Sequence, residues 1–239
     1  MIAKPADEIV LLPGLDGTGD LFDRLAASLA DEFTVNVMRY PNDPSHGYAG
    51  YAELARKMIG KRRVFLLGES FSGPVAVRVA AQLGPQIKGV ILAATFLRTP
   101  LPAWFMRRAS HTEPEATPKR IRDAILMGSY GDDELRNKVD EIVRGLSRPV
   151  RAARLRAIAE VDVREDFARL RCPVLVLHGR KDWLVSITPM QKAVCDKGGV
   201  RIVAFSAAHM LLQTRAAEAA TEISAFAKSK TLWEAQNEN

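Results

Sequence analysis

The stretch GESFSGPV, Gly68–Val75, nearly matches G-x-S-x-G, the pattern of a sharp turn between a strand and a helix that exposes a serine at its tip. Ser72 stands at the second glycine position of that pattern, and glycine follows one residue later as Gly73. Strand and helix approach each other closely at such a turn, so small residues must flank the serine. Pro74 fits the first helical turn because its missing N–H costs little there. The stretch therefore predicts a strand, a turn at Ser70 and a helix.

Short apolar runs like the one before this turn recur along the chain, with helical stretches between them. Most are nearly continuous apolar runs, which is typical of strands that helices cover on both faces. Alternation of strands and helices favours right-handed crossovers. The sequence therefore predicts an α/β fold with a mostly parallel six-stranded sheet flanked by helices. The predicted strands are Glu8–Pro13, Thr34–Met38, Arg63–Glu69, Lys88–Ala94, Pro173–His178 and Val200–Ser206.

The alternation fails once, between the fourth and fifth strands. The intervening residues read as helices, including Pro118–Met127, Asp133–Leu146 and Pro149–Glu160. The second of these carries an apolar stripe that must pack on something. We therefore expect one core domain, residues 1–96 and 168–239, with a helical cap inserted at residues 97–167. The stripe consists of Leu135, Val139, Ile142, Val143 and Leu146.

Four of the six predicted strands are followed by residues that are suited to catalysis or ligand binding. The first is followed by the glycine-rich loop PGLDGTG (Pro13–Gly19), the third by Ser70, the fifth by HGRKD with Asp182, and the sixth by AAHM with His209. Ligands of open parallel sheets bind outside the carboxyl ends of the strands. We therefore expect these four segments to meet at one edge of the sheet.

A serine hydroxyl becomes a good nucleophile when a base takes its proton and a third group orients that base. We predict that Ser70 is a catalytic nucleophile, His209 its base and Asp182 the orienting acid. The alternatives are that His209 is a core or surface histidine and that Asp182 is a turn residue, since Gly-Arg-Lys-Asp is turn chemistry in any protein. His178 is interpreted as a structural residue at a strand end.

Acyl transfer also needs two N–H donors for the oxygen that becomes negatively charged. The Phe71 N–H lies at a predicted helix start and is free to donate, and we predict the Leu15 N–H of the glycine-rich loop as its partner in an oxyanion hole. A phosphate-binding loop is the alternative interpretation of GLDGTG. That segment lacks the Lys-Ser/Thr ending of a P-loop and the G-x-G-x-x-G spacing.

The segments PGLDGTG, GESFSG, GRKD and AAHM, in the order serine, aspartate, histidine, resemble the α/β-hydrolase superfamily. The resemblance spans Ile9 to about Phe226. Besides Ser72, the chain departs from the family pattern at Pro13, where many members have histidine, and at Ala208, where glycine often precedes the histidine. The resemblance implies a small carboxylesterase with a Ser-His-Asp mechanism, no metal, no cofactor and a small-molecule acyl ester as substrate.

Other activities in this fold remain open. The glycine-rich loop resembles that of plastid phytyl-ester and diacylglycerol acyltransferases, in which an alcohol replaces water as the acyl acceptor. Thioester hydrolysis needs no different triad. A non-catalytic, ligand-binding receptor of the same fold is the alternative that is not an enzyme.

The predicted cap opens with LPAWFMRR, residues 101–108, which places Trp104, Phe105 and Met106 side by side. One interpretation is that these side chains attach the cap to the sheet domain. The other is that they line an acyl pocket above Ser70, because ligand sites are apolar clefts often formed where two units meet. We predict Trp104 and Phe105 as substrate-binding residues.

Composition excludes several classes of protein. The net charge is +6, and residues 97–171 supply +4 of it through charges of both signs that are interleaved along helical patterns, which indicates a solvated surface rather than a nucleic-acid partner. The N-terminus lacks a signal-peptide pattern, and the longest apolar run, Val90–Leu97, is too short to span a membrane. Cys172 and Cys195 are expected to be buried thiols. We expect a cytoplasmic protein that does not insert into membranes.

Overall fold

A computed structural model describes residues 7–112, 117–195 and 197–237. The sheet has six strands in the order β2-β1-β3-β4-β5-β6, and every neighbouring pair is parallel. The predicted fold class is confirmed, and each strand begins and ends within one residue of its predicted bounds. The strands are β1 (Asp7–Leu12), β2 (Phe33–Val37), β3 (Val64–Glu69), β4 (Ile87–Ala93), β5 (Val174–Gly179) and β6 (Val200–Phe205).

Helices cover both faces of this sheet. Because successive side chains of a strand point to opposite faces, Val10 of β1 belongs to one apolar core and Leu11 to the other. The α-helices of the described residues are α1 (Asp23–Leu29), α2 (Tyr48–Ile59), α3 (Gly73–Leu83), α4 (Ala103–Ala109), α5 (Lys119–Leu126), α6 (Asp133–Gly145), α7 (Arg148–Glu160), α8 (Arg164–Ala168), α9 (Thr188–Val194), α10 (Leu211–Thr214) and α11 (Ala216–Asn237). Residues of α2, α3 and α8 pack in the first core, and residues of α1, α10 and α11 pack in the second.

Residues 97–167, which lie between β4 and β5, carry helices α4–α7 and all but the last residue of α8, and are called the insertion below. In its helix α6, Leu135 and Val139 of the predicted apolar stripe are buried, in a small core that also contains Met127 and Met210. Ile142, Val143 and Leu146, the other members of that stripe, are half-buried.

Polar contacts also attach the insertion to the rest of the chain. The backbone N–H of Met210, which follows β6, donates to the carbonyl of Leu126 at 2.9 Å. Arg24 of α1 forms a two-pronged ion pair with Asp132, at 2.6 and 3.0 Å. The insertion is therefore joined to the loop after the last strand and to a helix beside the sheet.

Close packing explains the glycines of the turn at Ser70. A Cβ on Gly73 would lie 2.0 Å from the hydroxyl oxygen of Thr95, and a Cβ on Gly68 would lie 2.5 Å from the carbonyl oxygen of Ser72. Ser70 itself has a φ of 47°, a left-handed conformation that non-glycine residues rarely adopt. The glycine that the turn requires on its helix side is therefore Gly73, and the position of Ser72 accepts a side chain.

The expectation that both cysteines are buried is wrong. Cys172 is half-buried just before β5, and Cys195 is exposed at the end of α9, in the connection that leads to β6. That connection runs along the surface, so the sulfur of Cys195 is not packed in either core. Among the described residues, no helix is both long and apolar enough to cross a membrane.

Candidate active site

Ser70, His209 and Asp182 form one chain of hydrogen bonds. The Nε2 atom of His209 lies 2.9 Å from the Ser70 hydroxyl oxygen, and its Nδ1 atom lies 2.8 Å from an Asp182 carboxylate oxygen. An ionised carboxylate only accepts hydrogen bonds, so Nδ1 carries the ring proton and Nε2 is left as an acceptor for the serine O–H. The three residues, which the sequence placed after three different strands, therefore meet in the order that proton transfer from serine requires.

The surroundings of Asp182 keep it ionised. Burial of the side chain, which is fully shielded from solvent, would raise the pKa of Asp182. The hydrogen bond and charge of His209, together with hydrogen bonds from the backbone N–H groups of Val185 and Leu184, outweigh that effect and lower the pKa below its usual value. Asp182 is both the turn residue of the alternative interpretation and the partner of His209.

Ser72 links the turn at Ser70 to the glycine-rich loop. Its side chain is fully buried, and its hydroxyl donates to the carbonyl oxygen of Pro13. A hydroxyl has one proton to give, so the 2.6 Å contact with Tyr40 is donated by the tyrosine. The residue that breaks the G-x-S-x-G pattern thus fixes the start of the loop in which Leu15 lies.

Leu15 and Phe71 lie at the ends of neighbouring strands, since Leu12 of β1 is paired with Gly68 of β3. Leu15 is a central residue of a tight turn closed by the Gly17 N–H and the Gly14 carbonyl at 3.1 Å. No acceptor for the Leu15 N–H is found among the residues that the structure describes. Phe71 occupies the first helical turn after Ser70, where backbone N–H groups lack an intrahelical partner. Both predicted donors are therefore in backbone settings suited to binding an oxyanion.

Trp104 and Phe105 are exposed on helix α4. The exposed fractions are 68% for Trp104 and 46% for Phe105, and the two rings pack edge to face with centroids 5.9 Å apart. Met106, the next residue, is buried in the core that faces α2 and α3. Of these three residues, Met106 is therefore the one that attaches the insertion to the core. Substrate binding by Trp104 and Phe105 stays a prediction.

A second buried carboxyl group, Glu69, was not singled out from the sequence. It precedes Ser70 and accepts a hydrogen bond from the Gln213 amide at 2.8 Å. Burial raises the pKa of Glu69 to about 7, and the nearby charge of Asp16 adds to the shift, while the hydrogen bond from Gln213 opposes it. The sequence offers no signal for this residue beyond its position in the turn.

A buried arginine of the insertion was also missed. Arg154 of α7 is 1% exposed and extends to the glycine-rich loop, where it donates to the carbonyl oxygens of Leu15 and Asp16, each at 2.8 Å. A signal exists in the sequence, because Val150, Arg154 and Ile158 follow one another at helical spacing, and the two apolar residues are buried. An arginine in the middle of an apolar stripe indicates a cation that is held inside the protein.

The sequence as a whole identifies the family. A model of the alpha/beta hydrolase family matches residues 9–222, nearly the entire chain. The protein therefore belongs to the alpha/beta hydrolase family, in agreement with the parallel sheet and with the resemblance seen at the four strand ends.

Individual relatives are distant. The chain is 24% identical to a pimeloyl-[acyl-carrier protein] methyl ester esterase of Vibrio cholerae over 243 aligned positions, which cover 94% of this chain and 93% of the relative. An esterase from Exiguobacterium antarcticum superposes with a TM-score of 0.83 at 15% identity, over 95% of this chain and 93% of the other. A bromoperoxidase from Bacillus anthracis superposes with a TM-score of 0.82 at 16% identity, over 93% and 92% of the two chains. At these identities the structural matches establish the fold alone.

Proposed function

We propose that the protein is a carboxylic-ester hydrolase in which Ser70, His209 and Asp182 form the catalytic triad. The observation that carries this proposal is the hydrogen-bond chain through His209, with contacts of 2.9 Å to Ser70 and 2.8 Å to Asp182. Ser70 is also half-buried rather than sealed in the core, which suits a residue that must meet a substrate.

The reaction proceeds in two steps. The Ser70 oxygen attacks the acyl carbonyl while His209 takes the serine proton through Nε2, and the charged oxygen is held by the N–H groups of Leu15 and Phe71. The bond to the alkoxy group then breaks, and His209 gives its proton to the departing alcohol. Water attacks the acyl-serine with His209 again as base, which releases the acid and restores Ser70. Asp182 accepts the Nδ1–H bond throughout and stabilises the imidazolium.

The substrate is proposed to be an ester with a small or medium acyl group. Water as the acyl acceptor is favoured over a second alcohol by the esterase name of the Vibrio cholerae relative, which covers almost the whole chain. That name also points to methyl esters as the first compounds to assay. Acyl transfer to an alcohol and thioester hydrolysis use the same triad, so both belong in the same panel as competing reactions.

Replacement of Ser70 tests the proposal. Ser70→Ala is expected to abolish turnover of p-nitrophenyl butyrate and of methyl esters while the protein stays folded by circular dichroism. Ser28→Ala, which alters an exposed serine of α1, is the matched control and should keep wild-type turnover. Ester hydrolysis at the wild-type rate by folded Ser70→Ala would remove the proposal.

A further inference from the structure

Arg154 is a buried cation whose partners are all neutral among the described residues. Its Nη1 atom donates to the carbonyls of Leu15 and Asp16, and its Nη2 atom lies 3.3 Å from the carbonyl of Pro41. Its Nε atom donates to the Tyr51 hydroxyl at 3.0 Å. Removing a guanidinium from water is costly, and arginine stays charged inside proteins. Three backbone carbonyls and a hydroxyl accept from this cation, and it forms no ion pair with a carboxylate among the described residues.

Aromatic rings complete the site of the guanidinium. Its central carbon lies 5.7 Å from the ring centroid of Tyr40 and 5.5 Å from that of Tyr51. Cation-π contacts of this kind strengthen when the cation is desolvated. Tyr40 also donates to Ser72, which holds Pro13, so the same tyrosine touches both groups that bind the glycine-rich loop.

The glycine-rich loop is built to receive the arginine. Gly17 has a φ of +73°, and a Cβ at this position would lie 2.6 Å from Nη1 of Arg154. A side chain at Gly17 would therefore displace the guanidinium as well as strain the backbone. The loop is held at Pro13 by Ser72 and at Leu15 and Asp16 by Arg154.

These contacts restrain the backbone on both sides of the Leu15 N–H. With its own carbonyl fixed by Arg154 and the preceding Gly14 carbonyl fixed by the Gly17 N–H, the backbone of Leu15 has little freedom to rotate. The N–H is left without an acceptor among the described residues. Donors that stabilise a transition state act best when they are fixed in place before the reaction begins.

We infer that Arg154 is a positioning residue of the oxyanion hole, through which the insertion holds the Leu15 N–H in its donating orientation. This inference rests on the proposed function, because it assigns a role within that reaction. Arg154 touches the loop backbone and acts on the substrate only through Leu15.

The test is the variant Arg154→Lys, which keeps the charge but cannot reproduce the planar fork of donors. Loss of a complete oxyanion donor lowers kcat by roughly 100- to 1,000-fold, so a misplaced donor is expected to lower kcat by about 10- to 100-fold. KM should change less than threefold, since the donor acts on charge that develops in the transition state. The affinity of an alkyl boronic acid, whose tetrahedral adduct with serine occupies the hole, should fall in parallel with kcat.

Arg151→Lys is the matched control. Arg151 lies one turn earlier on α7 and donates to the backbone carbonyls of Ala109 and Thr112, which belong to the insertion itself. This variant should keep wild-type kcat in the folded protein. If Arg154→Lys lowers the melting temperature yet has wild-type kcat, Arg154 has only a structural role and the inference is overturned.

Gly17→Ala tests the same point should Arg154→Lys fail to fold, because its Cβ displaces the guanidinium. Gly84→Ala is its control, since Gly84 also has a positive φ, of 51°, but has open space around its Cβ position. A fall in kcat for Gly17→Ala alone supports the inference, and equal kcat in both variants overturns it. The proposed function is tested separately, by Ser70→Ala. If Ser70→Ala loses turnover while the Arg154 or Gly17 variant keeps wild-type kcat, this inference alone is refuted.

Discussion

A buried carboxylate that accepts three hydrogen bonds fixes the orientation of His209. Asp182 accepts from the Leu184 and Val185 N–H groups through one oxygen and from the imidazole through the other. The backbone donors hold the carboxylate in one rotamer, so the second oxygen has a defined direction. The ring of His209 can then present only Nε2 to Ser70.

Asp182→Asn is expected to lower kcat by about 1,000- to 10,000-fold, because an amide in this position can donate to Nδ1 and so favour the wrong tautomer of His209. The measurement is kcat and KM for p-nitrophenyl butyrate, with circular dichroism to establish folding. Asp162→Asn, a change at an exposed aspartate of the insertion, should leave kcat unaltered. Wild-type kcat in Asp182→Asn would assign the orienting acid to another residue.

Glu69 makes stability depend on pH in a direction opposite to that of an ordinary carboxylate. Its pKa is about 7 in the folded protein, against an ordinary value of 4.5, because the charged form is buried. The folded state therefore binds this proton more tightly than the unfolded state does. The stabilising effect is complete below pH 4.5 and is lost as the pH rises through 7, at a total cost of about 3 kcal/mol.

Glu69→Gln removes that dependence while it retains an acceptor for Gln213. Relative to wild type, its free energy of unfolding should rise between pH 5 and pH 8 by up to about 3 kcal/mol. Urea unfolding at several pH values measures this difference, with Glu53→Gln at an exposed position as control. If the free energies of unfolding of Glu69→Gln and wild type change with pH in parallel, ionisation of Glu69 does not destabilise the folded state.

At the scale of elements, the insertion combines attachment and exposure within one short helix. In α4, Met106 is buried, and Trp104 presents most of its surface to solvent. Trp104 and Phe105 are adjacent exposed rings, and contiguous exposed apolar surface is where proteins contact ligands or partners. Met106 and Trp104 therefore allow attachment and substrate contact to be separated by mutation.

Trp104→Ala is expected to leave the melting temperature nearly unchanged and to alter preference among acetate, butyrate, hexanoate and octanoate esters. A methylene gained or lost from an apolar contact shifts discrimination by about 1 to 3 kcal/mol in kcat/KM. Met106→Ala, the buried neighbour, should instead lower stability by about 2 to 5 kcal/mol. A uniform drop across all four esters with a lower melting temperature in Trp104→Ala would assign the indole to attachment.

The elements and their order could be predicted from the sequence because each strand is a short apolar run and each candidate side chain follows one directly. The meeting of Ser70, Asp182 and His209 was predicted this way, since the carboxyl ends of parallel strands lie at one edge. Arg154 could not be placed, because its partner Leu15 is 139 residues away and no local pattern specifies which loop a buried arginine reaches. The role of Ser72 was likewise hidden, since it depends on contacts with Pro13 and Tyr40 from other parts of the chain.

At the scale of the whole molecule, the fold joins segments that are far apart in sequence at one edge of the sheet. The glycine-rich loop follows β1, the turn at Ser70 follows β3, and the loops with Asp182 and His209 follow β5 and β6. The insertion contacts this edge through Arg154, through the bond from Met210 to Leu126 and through Tyr130, whose hydroxyl lies 3.2 Å from that of Ser206. Folding of the sheet and docking of the insertion therefore both contribute to the geometry around Ser70.

The proposed ester hydrolysis passes through a covalent intermediate on Ser70. The most direct measurement is titration with a fluorophosphonate, which reacts with an activated serine, followed by tandem mass spectrometry of the peptide that contains residues 68–75. We expect one adduct per chain, located on Ser70, with residual esterase activity falling in proportion to labelling. Complete inactivation with the adduct on another residue, or undiminished ester turnover after stoichiometric labelling of Ser70, would contradict it.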